Sequence, residues 1–146
     1  MKSVSDLMRT EFVHISPEDS LLDADRIMRL ARIRHLPVVE REALVGVLSN
    51  RDVLETALSR IESAADPAAS QDHLRRIRVG EIMSAHPVTT GPETSLQEAA
   101  RLLLRHKIGC LPVVSEREGR SVVIGLITES DLIRAAYAPE FEALSD

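Results

Sequence analysis

The sequence predicts an α/β (α+β) chain built from two successive β-α-β-β-α units, and three observations carry that prediction. Residues 4–39 match residues 79–114 at a shift of 75 with 14 identities in 36 positions, which marks an internal duplication. Within each copy, short apolar runs give way to apolar residues spaced three and four apart, as alternating strands and helices require. Hydrophobic residues fill 44% of the 146 positions, enough for a core. A unit of about 55 residues encloses only a modest core alone, so the two copies are expected to pack as one domain.

Each element follows from its residues. Residues 13–16 read as a short strand closed by Pro17, and Ser20 then caps a helix that places Leu21, Ala24, Ile27, Met28 and Ala31 on one stripe. Strands are expected over 36–40 and 44–49, joined by a polar turn, and a helix over 50–59 carries Val53, Leu54, Ala57 and Leu58 on one face. The second copy repeats this at 88–90, 95–106, 111–115, 122–128 and 129–137. Four residues are inserted between Ser115 and Ser121, after which the match resumes at a shift of 79, pairing Gly46 with Gly125 and Asp52 with Asp131. The polar character of the insertion points to a longer turn. The chain thus divides into a first copy over 1–62, an Ala-, Ser- and Asp-rich linker over 63–78, and a second copy over 79–146.

Composition excludes several functions. Eighteen basic residues against 23 acidic ones give a net charge of -5, so no global positive field exists to hold nucleic acid. Phe12, Tyr137 and Phe141 are the only aromatics, which leaves little for stacking on bases. The apolar stretch 122–127 falls far short of the roughly 20 residues that span a bilayer. No apolar run follows Met1-Lys2-Ser3, so no signal peptide is expected. The lone Cys110 cannot form an internal disulfide and suits a reducing cytoplasm. His106 and Cys110 are four apart, but Gly109 and Pro112 end the helix between them, so no metal site is expected. No dinucleotide fingerprint, phosphate loop or nucleophile elbow occurs, and no residue is assigned to catalysis.

The chemistry concentrates where a strand meets a helix. Ser49-Asn50-Arg51-Asp52 and Thr128-Glu129-Ser130-Asp131 stand at such junctions, where unpaired backbone N–H groups face outward and a carboxylate can accept both hydroxyls of a ribose. The same Ser/Thr-x-x-Asp pattern is also a helix-capping box, as Ser20-x-x-Asp23 and Ser95-x-x-Glu98 illustrate. Both readings stand, and they are compatible.

Strand, helix, Leu-Pro-Val-Val strand, glycine-containing strand and Ser/Thr-x-x-Asp helix, twice in order, resemble a tandem pair of cystathionine-beta-synthase (CBS) domains over nearly the whole chain. The resemblance implies a pseudo-twofold module with a cleft between the copies, binding an adenosine-containing ligand such as AMP, ADP, ATP, S-adenosylmethionine or NAD. It implies regulation rather than catalysis, with no required cofactor, a homodimeric assembly and a separate effector protein. An interaction module that binds no nucleotide is the alternative. By the same likeness, Asp52 and Asp131 would hold ribose, Ser49 and Thr128 would contact sugar or phosphate, and Arg34 and His35 would face phosphate. Gly109 and Cys110 occupy the positions of Arg34 and His35 in the second copy, so the two half-sites are chemically unequal. Val13 and Val88 would flank an adenine or else belong to the core. Gly109 permits close ligand approach or ends the preceding helix.

Overall fold

The computed structural model describes residues 3–61 and 67–137. In chain order its elements are α1 (Val4–Leu7), α2 (Leu21–Ala31), β1 (His35–Glu40), β2 (Ala43–Ser49), α3 (Asn50–Ile61), α4 (Pro67–Arg76), α5 (Val79–Ile82), β3 (Ser84–Ala85), α6 (Leu96–His106), β4 (Cys110–Arg117), β5 (Arg120–Thr128) and α7 (Glu129–Ala136). They fall into two compact units: a continuous unit, Val13–Pro87, and a split unit, Met1–Phe12 together with Val88–Asp146.

In the continuous unit β1 and β2 form an antiparallel hairpin, and β3 pairs with β2 at Gly46 and Val47. The two turn residues, Arg41 and Glu42, have φ of 52° and 68°, the backbone pattern that matches the twist of a tight hairpin. The α2 stripe of Leu21, Ala24 and Met28 packs with Leu36, Val38 and Leu48 of the hairpin and Val53 of α3. The Ser20 hydroxyl accepts from the Asp23 N–H at 3.1 Å to start α2, and Arg32 in the left-handed conformation ends it.

The split unit is built by the same rules. β4 and β5 form the hairpin, and Ala99 and Leu103 of α6 cover Leu111, Val113 and Ile127. Ser95 caps α6 through the Glu98 N–H at 3.0 Å, and the left-handed Lys107 terminates it. The fully buried Val4 of α1 completes this core, whereas its counterpart in the second copy, Val79, is fully buried in the core of the continuous unit. Backbone bonds repeat the exchange. Val4 and Ser5 donate to Thr94 and Pro92, both at 2.8 Å, while Val79 and Gly80 donate to Asp19 and Pro17 at 2.8 and 2.9 Å. The head of each repeat therefore completes the body of the other, so the compact units cut across the duplication that set the division into 1–62 and 79–146.

Several elements differ from expectation. The strands expected over 13–16 and 88–90 reduce to single bridges, Ile15 to Val38 and Thr90 to Val113. Each such residue uses its N–H and C=O across a register shift in the facing strand, and Pro17 or Pro92 follows two residues later. The stretch expected as linker contains α4, whose Leu74 packs with Ile77 against the core of the continuous unit. Residues 62–66 of that region, and 138–146 of the expected second copy, lie outside the described residues. The four-residue insertion does not enlarge the turn, which remains Glu118-Gly119. Instead β4 and β5 have 8 and 9 residues where β1 and β2 have 6 and 7. The added pairs are held by the hairpin ladder and by the Ser121 hydroxyl, which donates to Glu116 at 2.6 Å. Among the described residues no helix is long and apolar enough to cross a membrane.

Candidate functional site

The head of α3 is fixed by reciprocal hydrogen bonds. The Ser49 N–H donates to Asp52 Oδ2 at 2.8 Å, and the Asp52 N–H donates to Ser49 Oγ at 3.2 Å. At α7 the Thr128 N–H donates to Asp131 Oδ2 at 3.0 Å, and the Asp131 N–H donates to Thr128 Oγ1 at 3.2 Å. The capping role is thus realised in both copies, and each aspartate keeps its second carboxylate oxygen for other work.

That second oxygen has different surroundings in the two copies. Arg9 donates to Asp131 Oδ1 from Nε at 3.2 Å and from Nη2 at 3.0 Å, and Asp131 is buried at 4% exposure. The arginine is held by a two-way backbone bridge with Leu126, at 2.8 and 3.0 Å. Asp52 is only half-buried, and among the described residues nothing donates to its Oδ1.

The positive charge is equally uneven. An open cavity of about 730 Å³ lies among α2, α3 and Leu74 of α4, and Arg29, Arg32, Arg34 and Arg51 line it. Asp25 also lines the cavity and accepts from Arg29 Nε at 2.9 Å, leaving a net positive wall. The corresponding positions of the second copy hold Leu104, Lys107, Gly109 and Ser130, a single cation. Arg34 is tied to the helix head because its carbonyl accepts from the Asn50 N–H at 2.9 Å, just as the Gly109 carbonyl accepts from Glu129 at 3.1 Å.

Ser49, Asp52, Arg34 and His35 therefore fall in one unit, with His35 directly across the ladder from Ser49, but of the four only Arg34 lines the cavity. Thr128, Asp131 and Gly109 meet in the other. Val13 is 43% exposed and contributes little to a core, whereas Val88 is partly buried against the core of the split unit. Gly109 does not supply the left-handed residue that ends α6. Lys107 does, at φ 54°, so the need for glycine at a helix end is met two residues earlier by another side chain. Cys110 sits opposite Thr128, buried, and its thiol is pushed up to about 12 by burial and then by the negative charge of Asp131. Such a thiol is not a nucleophile at neutral pH. Among the described residues no group of three or more His, Cys, Asp or Glu stands close enough to hold a metal.

Sequence reasoning missed Arg9, whose partner lies 122 positions away. The available signal was the mismatch between Arg9 and Ser84 at the shift of 75. It also missed Arg29, Arg32 and Arg51, which join Arg34 only once α2 and α3 are packed side by side.

Two copies of a strand-to-helix carboxylate cap on small hairpin-and-helix units define a tandem repeat module. The chain belongs to the CBS domain family, whose model matches residues 4–59 and again 79–138. The CBS domain-containing protein YhcV of Bacillus subtilis is 29% identical over 132 residues, covering 90% of this chain and 84% of its own length. The crystal structure of CBSX2 in complex with AMP superposes with a TM-score of 0.74 at 29% identity, covering 96% of this chain and 99% of that one. An inosine-5'-monophosphate dehydrogenase of Korarchaeum cryptofilum is 35% identical over 132 residues, 90% of this chain. The chain spans only 24% of that enzyme's length.

Proposed function

We propose that this chain is a non-enzymatic regulatory module that senses an adenosine-containing ligand, with AMP, ADP, ATP, S-adenosylmethionine and NAD as the candidate set. The observation that carries this reading is the concentration of ligand chemistry in the continuous unit. Asp52 presents to a vicinal diol a carboxylate oxygen to which nothing among the described residues donates, and α3, which it caps, also helps to line a cavity walled by four arginines. A carboxylate accepts the two ribose hydroxyls, and guanidinium forks neutralise phosphate oxygens. The AMP complex of CBSX2 supports the same ligand class. Because a ligand shifts a conformational balance only by its differential affinity, occupancy at this end would alter how the module engages an effector protein in the cytoplasm.

Calorimetric titration with AMP and with adenosine tests the assignment. A hydrogen bond to a charged group is worth about 1.5 to 3 kcal/mol, so Arg34→Ala should weaken AMP binding by roughly tenfold to 150-fold and leave adenosine nearly unchanged. Equal losses for both ligands would remove Arg34 from the phosphate role.

A second reading, an interaction module without nucleotide, draws on Leu54 and Leu58 of α3 and on Ile133 and Tyr137 at α7, each more than half exposed. The same residues support a homodimer, since large apolar side chains left in water favour a second interface. Light scattering should then return about twice the chain mass of 16.1 kDa, and a monomer at tens of micromolar would contradict it.

A further inference from the structure

We propose that Arg9 closes the second half-site from within, so that each chain offers one ribose-holding carboxylate, Asp52, rather than two. The inference rests on the adenosine-sensing reading above and adds to it the residue that sets the number of ligands. The duplication supplies an internal control. Arg9 pairs with Leu126 of β5 where its counterpart Ser84 pairs with Val47 of β2, and Leu126 and Val47 are themselves equivalent at the shift of 79. The two backbones thus hold residue 9 and residue 84 at the same register, five residues before Asp131 and Asp52 respectively in the strand-to-helix segment each pairs with. Only the arginine is long enough to reach the carboxylate, and it does so with two donors on the one oxygen that the capping box leaves over. Both oxygens of Asp131 are consequently engaged by protein donors, and the carboxylate is buried. A vicinal diol would have to displace a charge-assisted fork to reach it. Serine at position 84 imposes no such competition on Asp52. The charge pattern agrees, because the copy with the closed carboxylate is also the copy that carries one cation, Lys107, at the four positions where the other has arginines.

The test is calorimetric stoichiometry with AMP on the full chain and four variants, each checked by thermal melting. The wild-type chain should bind one AMP per chain. Asp52→Asn should weaken that event about tenfold or more, whereas Asp131→Asn should change it by less than about twofold. Arg9→Ser, which copies residue 84, should add a second binding event. Ser84→Arg, which transplants the closing residue onto an exposed position, should weaken the Asp52 event about tenfold or more, and it keeps the test decisive if Arg9→Ser fails to fold. Two AMP molecules per wild-type chain, or full affinity in Ser84→Arg, would overturn the role of Arg9 while leaving the sensing function intact. Binding that appears only in Arg9→Ser would support closure by Arg9 and overturn the native Asp52 site. No binding to the wild-type chain or to Arg9→Ser would overturn both.

Discussion

At the scale of single residues, the same sequence position carries different chemistry in the two copies, and Cys110 is an example. It stands where the first copy has His35, and it lies close enough to the buried carboxylate of Asp131 to feel its charge. Desolvation and the charge of Asp131 raise its thiol from 9.0 to about 12, so the folded chain keeps a proton that the unfolded chain gives up. The sign follows directly. Stability from this source is complete below about pH 9 and declines as pH rises from there towards about 12, because the unfolded state then binds fewer protons. Denaturant melts of wild type and Cys110→Ala across that range should converge as pH rises, even though the alanine variant starts lower for lack of the buried sulfur. Parallel curves would contradict the assigned environment. Iodoacetamide should modify the native protein at neutral pH far more slowly than the unfolded one, since the thiolate is the reactive form and Cys110 is only 5% exposed.

At the scale of elements, the two hairpins depend on glycines where a neighbouring segment crosses. A Cβ at Gly46 would lie 2.5 Å from Met83 Sδ and 2.9 Å from the Ser84 carbonyl oxygen, whereas at Gly125 the distances are 2.7 Å to Met8 Sδ and 3.1 Å to the Arg9 carbonyl oxygen. The methionines can swing aside, but the Ser84 carbonyl belongs to β3 and moves only with that strand. Gly46→Ala should therefore cost about 1 to 3 kcal/mol and Gly125→Ala less, by the general cost of overpacking. Urea midpoints decide this, and an unchanged Gly46→Ala would show that β3 yields freely. The long elements were legible in the sequence because capping and period agree: Ser20 and Ser95 each open an 11-residue helix ending within one residue of the expected place. The four-residue helices α1 and α5 were not, since so short a segment has no period to read. The strand-to-helix aspartates were visible through the repeat, but the state of their carboxylates was not. Arg9 reaches Asp131 only through tertiary structure, and the four cavity arginines are scattered over 23 positions with no common motif.

At the scale of the whole molecule, the exchange of heads between repeats decides which parts of the chain must meet before each unit can fold. The continuous unit draws on Val13–Pro87 alone, so all its contacts are available once that stretch exists. The split unit must bring Met1–Phe12 to residues that begin at Val88, which closes a long loop before its core is rewarded. The duplication is legible in the sequence but this exchange is not, because heads that share the apolar positions Val4/Val79 and Met8/Met83 fit either body equally well in a pattern of residues. The exchange makes the dependence on the first 12 residues one-sided. Their removal takes from the split unit the fully buried Val4, the partly buried Met8, the backbone bonds to Thr94, Pro92 and Leu126, and the fork on Asp131. It takes no residue from the continuous unit, whose own head is Val79. Burial of one valine is worth about 1.5 to 3 kcal/mol and each lost hydrogen bond about 1 kcal/mol, so the deletion should cost several kcal/mol, a large share of a typical domain's stability. Hydrogen exchange on a chain lacking residues 1–12 should show faster exchange in α6, β4, β5 and α7 while the amides of β1, β2 and α2 keep most of their protection. Equal loss of protection in both units, or none in either, would contradict the assignment of the N-terminal segment to the split unit alone.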